Sequence, residues 1–319
     1  MDWRANLTAY LRQRLPSADD VSLGTLSGMP AGASNDTIGV DLVVRCGDTE
    51  SILPMVLRPQ RQEGILAPYD ISRQFRVMRA LARTDVPVPA VAWLEPNVEI
   101  IGAPFFFMTR ERGETLPLFW YGGRSPRLEA VAQALATVHA VNWQAAGLGF
   151  LLPESAPVSP LEADLAAWRA RASHARIDRA PLLVLLAEFL RRNEPTDARH
   201  AFLHGDPNPG NYLIEGDRVT SVLDWEVASI GDPRADLGFY SALLTVFGGT
   251  SGADGHTVLS EAYQGVTGQP LHDLAYYEGV GLYKMAIVLV GWTGRVGFGQ
   301  GLNPISRRLS ELFGPQWAG

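Results

Sequence analysis

The chain has 319 residues, 46% of them apolar and 19% charged. That is enough apolar material for a sizeable core, and it excludes wholesale disorder. A net charge of −7, with 12 basic and 13 acidic groups in residues 1–112 and 15 and 21 in residues 113–319, leaves neither half basic enough for a nucleic-acid surface. Cys46 is the only cysteine, which rules out an intrachain disulfide or a cysteine metal cluster and fits a reducing compartment. The first fifteen residues interleave acidic and basic groups where a signal peptide would be apolar, and the stretch Met285–Trp292 is too short to cross a bilayer. A soluble, cytoplasmic protein without nucleic-acid or membrane partners is expected.

Trp3, Leu7, Tyr10, Leu11 and Leu15 recur at helical spacing, with Asp2 as an N-cap and Pro16 as a stop. From Val21 to Leu57 the texture is extended, with strands over Thr37–Arg45 and Ser51–Leu57 joined at Gly47-Asp48. Pro54 predicts an edge strand or a bulge there. A helix is expected over Tyr69–Ala82, burying Ile71, Phe75, Met78 and Leu81, and short strands near Val91–Leu94 and Phe105–Thr109. After Gly113 the pattern turns helical. Ser125-Pro126 starts a helix running to about Val141. Further helices fit Leu161–Ser173, Pro181–Arg192, Pro233–Val246, Thr257–Val266 and Asp273–Gly291, with strands at Ala201–Leu203, Tyr212–Ile214 and Val219–Leu223. The expected fold class is α+β in two lobes: an antiparallel sheet with one packed helix over residues 1–112, and a larger helical lobe over 113–319. The connection falls near 109–114, and a cleft lies between the lobes.

The informative segment is His204-Gly-Asp-Pro-Asn-Pro-Gly-Asn211, followed by a hairpin and Asp224-Trp225-Glu226. In a hairpin joined by Glu-Gly-Asp-Arg the start of the first strand lies beside the end of the second, so Asn211 and Asp224 meet. Asp206 reaches the same end. Two acids and an amide in one volume suit a hard divalent ion held by Asn and Asp oxygens, with the second carboxylate free to take a proton from a hydroxyl. The alternative for Asp206 and Asn211 is stabilisation of a Pro/Gly loop.

These residues carry a resemblance. The chain resembles the aminoglycoside-phosphotransferase-like kinase family, whose pattern is HGDxxxxN followed by an aspartate after a short hairpin. More narrowly, it is similar to the phosphotransferases related to the kinase module of certain acyl-CoA dehydrogenases. The supporting stretches are GASNDT (32–37), VPVPAV (86–91), GAPFFFM (102–108), LHGDPNPGNYLI (203–214) and VLDWEVASIGDPRADLGFY (222–240). The resemblance implies a protein-kinase-like fold and transfer of a γ-phosphoryl group from ATP or GTP to a hydroxyl of a small molecule. It implies Asp206 as catalytic base, Asn211 and Asp224 as Mg²⁺ ligands, Asp236 as a brace of the catalytic loop and His204 as a structural residue.

On the nucleotide side, Gly32, Ser34 and Asn35 would lie in the phosphate-covering turn, although a plain hairpin loop has the same composition. Arg58 stands where kinases place the phosphate-binding lysine; Lys284, the chain's one lysine, lies far along the sequence. Gln74 occupies the position of the glutamate that normally pairs with that cation, so the charge-assisted part of the pair is given up. Met108 to Glu111, including Arg110, would be the connector whose backbone reads the adenine edge.

Gln74 keeps one rival reading open, a nucleotide-binding pseudokinase with a regulatory role. A two-metal phosphoesterase is disfavoured because the six histidines form no His-Glu-x-x-His or Asp-x-His pair, and a serine hydrolase because no Gly-x-Ser-x-Gly elbow occurs. The segments Leu116–Arg124 and Leu151–Pro160, with Trp120, Tyr121 and Trp168, are candidates for the acceptor pocket.

Overall fold

The structure is a computed structural model that describes residues 2–28, 37–64, 66–117, 123–152, 159–247, 252, 254–293 and 303–317. The expected turn residues Gly32, Ser34 and Asn35 lie outside the described residues, as do Trp120 and Tyr121.

Helix α1 (Trp3–Arg14) opens on Asp2, whose carboxylate accepts the N–H groups of Arg4 and Ala5 at 3.1 and 3.3 Å. It is followed by β1 (Asp20–Gly28), β2 (Ile38–Cys46), β3 (Thr49–Pro59), α2 (Ile71–Leu81), β4 (Val91–Glu95) and β5 (Phe105–Thr109). The strands form one antiparallel sheet in the order β1-β2-β3-β5-β4. Successive side chains of a strand point to opposite faces, and both faces here are covered. Met55, Leu57, Phe105 and Phe107 pack with Leu7, Tyr10 and Leu11 of α1. Val56, Phe106 and Met108 turn the other way, toward α2 and the main core. Four large apolar residues in a row, Phe105–Met108, are therefore read as a strand buried on both sides rather than a helix segment.

Two expectations need correction here. β3 is a central strand, not an edge. Its pairing with β5 begins only at Met55, opposite Thr109, so Pro54 lies in a stretch where β2 is the one ladder partner and a missing N–H costs nothing. In α2, Asp70 is the cap, accepting the Arg73 N–H at 3.0 Å, and the buried set includes Gln74 and Val77, while Phe75 is half-buried against Phe106.

The second lobe comprises β6 (Glu114–Thr115), α3 (Pro126–His139), α4 (Pro160–His174), α5 (Pro181–Arg192), β7 (Ala201–Leu203), β8 (Tyr212–Glu215), β9 (Arg218–Val222), β10 (Ser229–Gly231), α6 (Pro233–Phe247), α7 (Val258–Thr267), α8 (Leu274–Thr293) and α9 (Asn303–Phe313). Ser125 caps α3 through the Leu128 N–H at 3.2 Å, with Pro126 at the first helical position. α6 and α8 press together at glycines: a Cβ on Gly238 would lie 2.2 Å from the Tyr277 carbonyl. The chain enters this lobe through a stitched connector. Gly113, at φ +126°, lies so close to β8 that a Cβ would meet the Ile214 nitrogen at 3.0 Å. β6 pairs with β8, and the Thr220 hydroxyl donates to the Arg112 carbonyl at 2.9 Å. Among the described residues no helix is long and apolar enough to cross a membrane.

Candidate active site

β7 delivers the chain into the loop His204–Asn211, and β8 and β9 return it to Asp224. The loop is held from below by Asp236 in the first turn of α6. Its carboxylate accepts the N–H groups of His204 and Gly205, both at 2.9 Å, and meets His139 Nε2 at 3.1 Å. Burial alone would raise the Asp236 carboxyl; the His139 contact and the backbone donors outweigh it and hold it below the usual carboxylate range. His139 Nδ1 in turn lies 2.9 Å from the Tyr263 hydroxyl. Gly205 sits at φ +86° with Val227 O 2.2 Å from any added Cβ, so only glycine fits.

His204 has no free ring nitrogen. Nε2 lies 2.8 Å from the Leu223 carbonyl, which only accepts, and Nδ1 accepts the Asp206 N–H at 3.2 Å. Both ring nitrogens are committed to the loop.

Asn211 donates through Nδ2 to the Asp206 carbonyl at 2.9 Å and to Asp206 Oδ2 at 3.1 Å, which leaves its own Oδ1 available. Asp206 Oδ1 is buried with no partner. Burial pushes the Asp206 carboxyl above its ordinary value, and the neighbouring Asp224 charge adds to that. The hairpin closes as its loop length requires: Tyr212 pairs with Val222, and the Leu223 N–H donates to the Asn211 carbonyl at 2.8 Å. Asp224 follows at φ +64°, a left-handed conformation that turns its carboxylate out of the strand line.

From the sheet lobe, buried Arg58 reaches this point. Its Nη2 lies 3.1 Å from Asp224 Oδ1 and 3.4 Å from Gln74 Oε1, and Nη1 donates to the Thr37 hydroxyl at 3.1 Å. Arg58 Nε is buried without a partner. The Asp224 carboxylate and the unengaged Asn211 oxygen are hard donors of the kind that fit a divalent ion. Gln74 is placed where the sequence put it, yet its contact is long and neutral.

The connector residues behave differently. Met108 is buried in the core. The Arg110 N–H donates to the Pro54 carbonyl at 3.1 Å, and its guanidinium pairs with Asp41 at 2.7 Å. Trp168 is buried, with Arg171 and Lys284 over its ring. Sequence reasoning missed Thr37, the last residue of GASNDT, and Arg73, which crosses between the lobes to the carbonyls of Glu226 and Ala228 at 3.1 and 2.5 Å. Arg73 directly precedes Gln74, and its helical position alone says nothing of that reach.

Comparison with known proteins agrees with this geometry. The chain is 30% identical over 217 residues to acyl-CoA dehydrogenase family member 10 of Mus musculus, covering 65% of this chain and 19% of that protein. It is 28% identical over 249 residues to family member 11 of Homo sapiens, covering 74% and 30%. The chain thus spans under a third of the length of these relatives. Among solved structures, a putative aminoglycoside phosphotransferase from Ralstonia eutropha superposes with a TM-score of 0.66 at 25% identity, covering 98% of this chain and 97% of that one. The GDP complex of aminoglycoside 2'-phosphotransferase-IIIa superposes with a TM-score of 0.61 at 16% identity, covering 97% and 99%, and Plasmodium vivax ethanolamine kinase with 0.64 at 14%, covering 97% and 86%. Both share the two-lobed kinase-like fold. The model of the phosphotransferase enzyme family matches residues 25–273, a span that holds the loop, the hairpin and the Arg58 strand alike, and the chain belongs to that family.

Proposed function

We propose that this chain moves the γ-phosphoryl group of ATP or GTP to a hydroxyl of a small molecule. The lobe of residues 1–112 would bind nucleotide and that of residues 113–319 would bind acceptor. The observation that carries this reading is the convergence of Asp206, Asn211 and Asp224 at one mouth of the β8–β9 hairpin, facing Arg58 from the other lobe. Asp206 aims the acceptor hydroxyl and takes its proton on the unpartnered Oδ1 as the oxygen bonds to phosphorus and the β–γ bridging oxygen leaves with its electron pair. Asn211 Oδ1 and the Asp224 carboxylate would hold Mg²⁺, which supplies neutralisation of charge on the phosphates. Arg58 lies beside the phosphates' expected position as their protein cation. The GDP complex of one structural neighbour and the ethanolamine kinase activity named for another support nucleotide use and a small acceptor.

Asp206→Ala is expected to lower turnover by roughly two to four orders of magnitude with nucleotide affinity little changed. The measurement is ADP or GDP release across a panel of hydroxyl compounds with and without Mg²⁺. Near-normal turnover in the variant would remove Asp206 from the chemistry.

Gln74 favours a second reading. Its neutral 3.4 Å contact with Arg58 lacks the charge of an acid, as in a nucleotide-binding pseudokinase with a regulatory role. Tight nucleotide binding with no turnover on any compound of the panel would select it.

A further inference from the structure

Just past Asp224 lies a small cleft between α2, α4 and β10. Arg73, Asp164, Trp168, Arg171 and Ser229 line it. Asp70, Asp164 and Glu226 act on its two arginines from nearby, yet among the described residues none of them pairs with either guanidinium. The Asp164 carboxylate is taken by Lys284 at 2.5 Å, with both side chains buried. Arg73 and Arg171 hydrogen-bond, among the described residues, only to carbonyl oxygens: Arg73 to Glu226 and Ala228, and Arg171 to Leu66 at 3.3 Å and Ala167 at 3.4 Å. Neutral acceptors hold these guanidiniums in place, and the carboxylates of Asp70, Asp164 and Glu226 act on them without hydrogen-bonding to them. Each has five donors, so each retains N–H groups beyond those contacts.

A third polar group lies on the same wall. The Ser229 hydroxyl is buried with no partner, on the first residue of β10. Trp168 lies under Arg171, whose guanidinium carbon is 5.2 Å from the ring centroid, and fixes its plane. Two desolvated cations of like charge on one wall are costly unless an anion joins them. Burial, then the Arg171 charge, pushes Arg73 down to about 10 against the opposing pull of Asp70 and Asp164, and burial lowers Arg171 against that of Glu226 and Asp164.

We propose that the cleft between α2, α4 and β10 is an oxyanion site, taking a phosphate-like group on the guanidiniums of Arg73 and Arg171 and the hydroxyl of Ser229. It stands apart from Arg58 and Thr37, which face Asp224 from the sheet lobe, and does not depend on the reading of the chain as a kinase. Because Arg73 also grips the carbonyls two and four residues after Asp224, an occupied site stiffens the segment that follows that aspartate. The oxyanion comes either from the acceptor, as an anionic group remote from its reacting hydroxyl, or from free phosphate.

The test uses the full chain without nucleotide, in an Arg58→Gln background that removes phosphate binding on the nucleotide side. Inorganic phosphate is titrated while thermal unfolding and heat of binding are followed. Phosphate is expected to raise the melting temperature of this parent, and Arg171→Gln to weaken its affinity by about tenfold or more, the scale of a lost charged hydrogen bond. Ser229→Asp delivers a carboxylate into the cleft. It is expected to raise the melting temperature without phosphate and to abolish the phosphate response, the opposite of a folding lesion. Phosphate affinity within about twofold of the parent in Arg171→Gln, or a Ser229→Asp chain that melts lower and still responds, overturns the proposal. If the acceptor supplies the anion, hydroxyl compounds carrying phosphate or carboxylate outrun neutral alcohols and amines in nucleotide-diphosphate release, and Arg171→Gln erases that ranking. If free phosphate is the ligand, the ranking is untouched while the thermal response is lost. A chain that binds phosphate this way yet turns nothing over would leave the site standing and the kinase reading fallen.

Discussion

Asp206 combines two demands that oppose each other. Its Oδ1 is buried without a hydrogen-bond partner, which suits proton abstraction and costs stability. Its folded carboxyl is raised above the unfolded value of about 3.9, so the ionised form is the disfavoured one in the fold. The stability linked to this group is full below the unfolded value and lost as pH rises through the folded one. Asp206→Asn is therefore expected to stabilise the protein by about 1–3 kcal/mol at neutral pH, a gain that fades as the solution approaches about pH 4. Melting temperatures of the two chains across that range check it, and an equal or lower value for the variant at neutral pH contradicts it. Asp206, Asn211 and Asp224 were legible in the sequence because a loop and a two-strand turn, both local, bring them together. Thr37, Arg73 and Ser229 were not: Thr37 meets Arg58 across 21 positions, and Arg73 meets Glu226 across 153. No local pattern encodes such distances.

At the scale of elements, α6 and α8 show what holds the helical lobe. A Cβ on Gly238 would fall 2.2 Å from the Tyr277 carbonyl, and one on Gly281 2.6 Å from the Gly238 oxygen. Gly238→Ala removes a flexible residue from a helix, which by propensity alone would help by about 1 kcal/mol. The backbone collision is larger and cannot be relieved by turning a side chain. The variant is expected to lose about 3 kcal/mol or more in urea unfolding, against an unchanged midpoint if propensity decided the matter. Helices with a cap and a long apolar period, such as α1, α2 and α3, were legible to within one or two residues. β6 and β10, two and three residues long, carry no periodicity to read and exist because β8 and β7 offer them edges. α9 carries only Asn303-Pro304 and the spacing of Ile305, Leu309 and Phe313, a short amphipathic pattern that stands out little beside the long apolar helix before it.

Across the whole molecule, the pair of Arg58 and Asp224 joins residues 166 positions apart and ties one lobe to the other. Arg73 makes a second tie a few residues further on. Asp224→Ala cuts the first and removes one proposed metal oxygen, so Mg²⁺-dependent nucleotide binding is expected to disappear while any metal-independent binding through Arg58 survives. Nucleotide titration with and without Mg²⁺ reads this directly, and unaltered Mg²⁺ dependence would take Asp224 out of the metal site. Two lobes were expected from the change of texture after Gly113. The central position of β3 and the double-sided burial of the sheet were hidden, because both depend on which strands become neighbours.

The stitching of Gly113 and β6 onto β8 has a mechanical consequence. The connecting chain is riveted to the same ribbon that presents Asn211 and Asp224, so a swing of the smaller lobe about that rivet leaves the acid and amide groups standing still. In such a swing they would be the fixed jaw of a vice, and the arm bearing Arg58 and Thr37 the moving one.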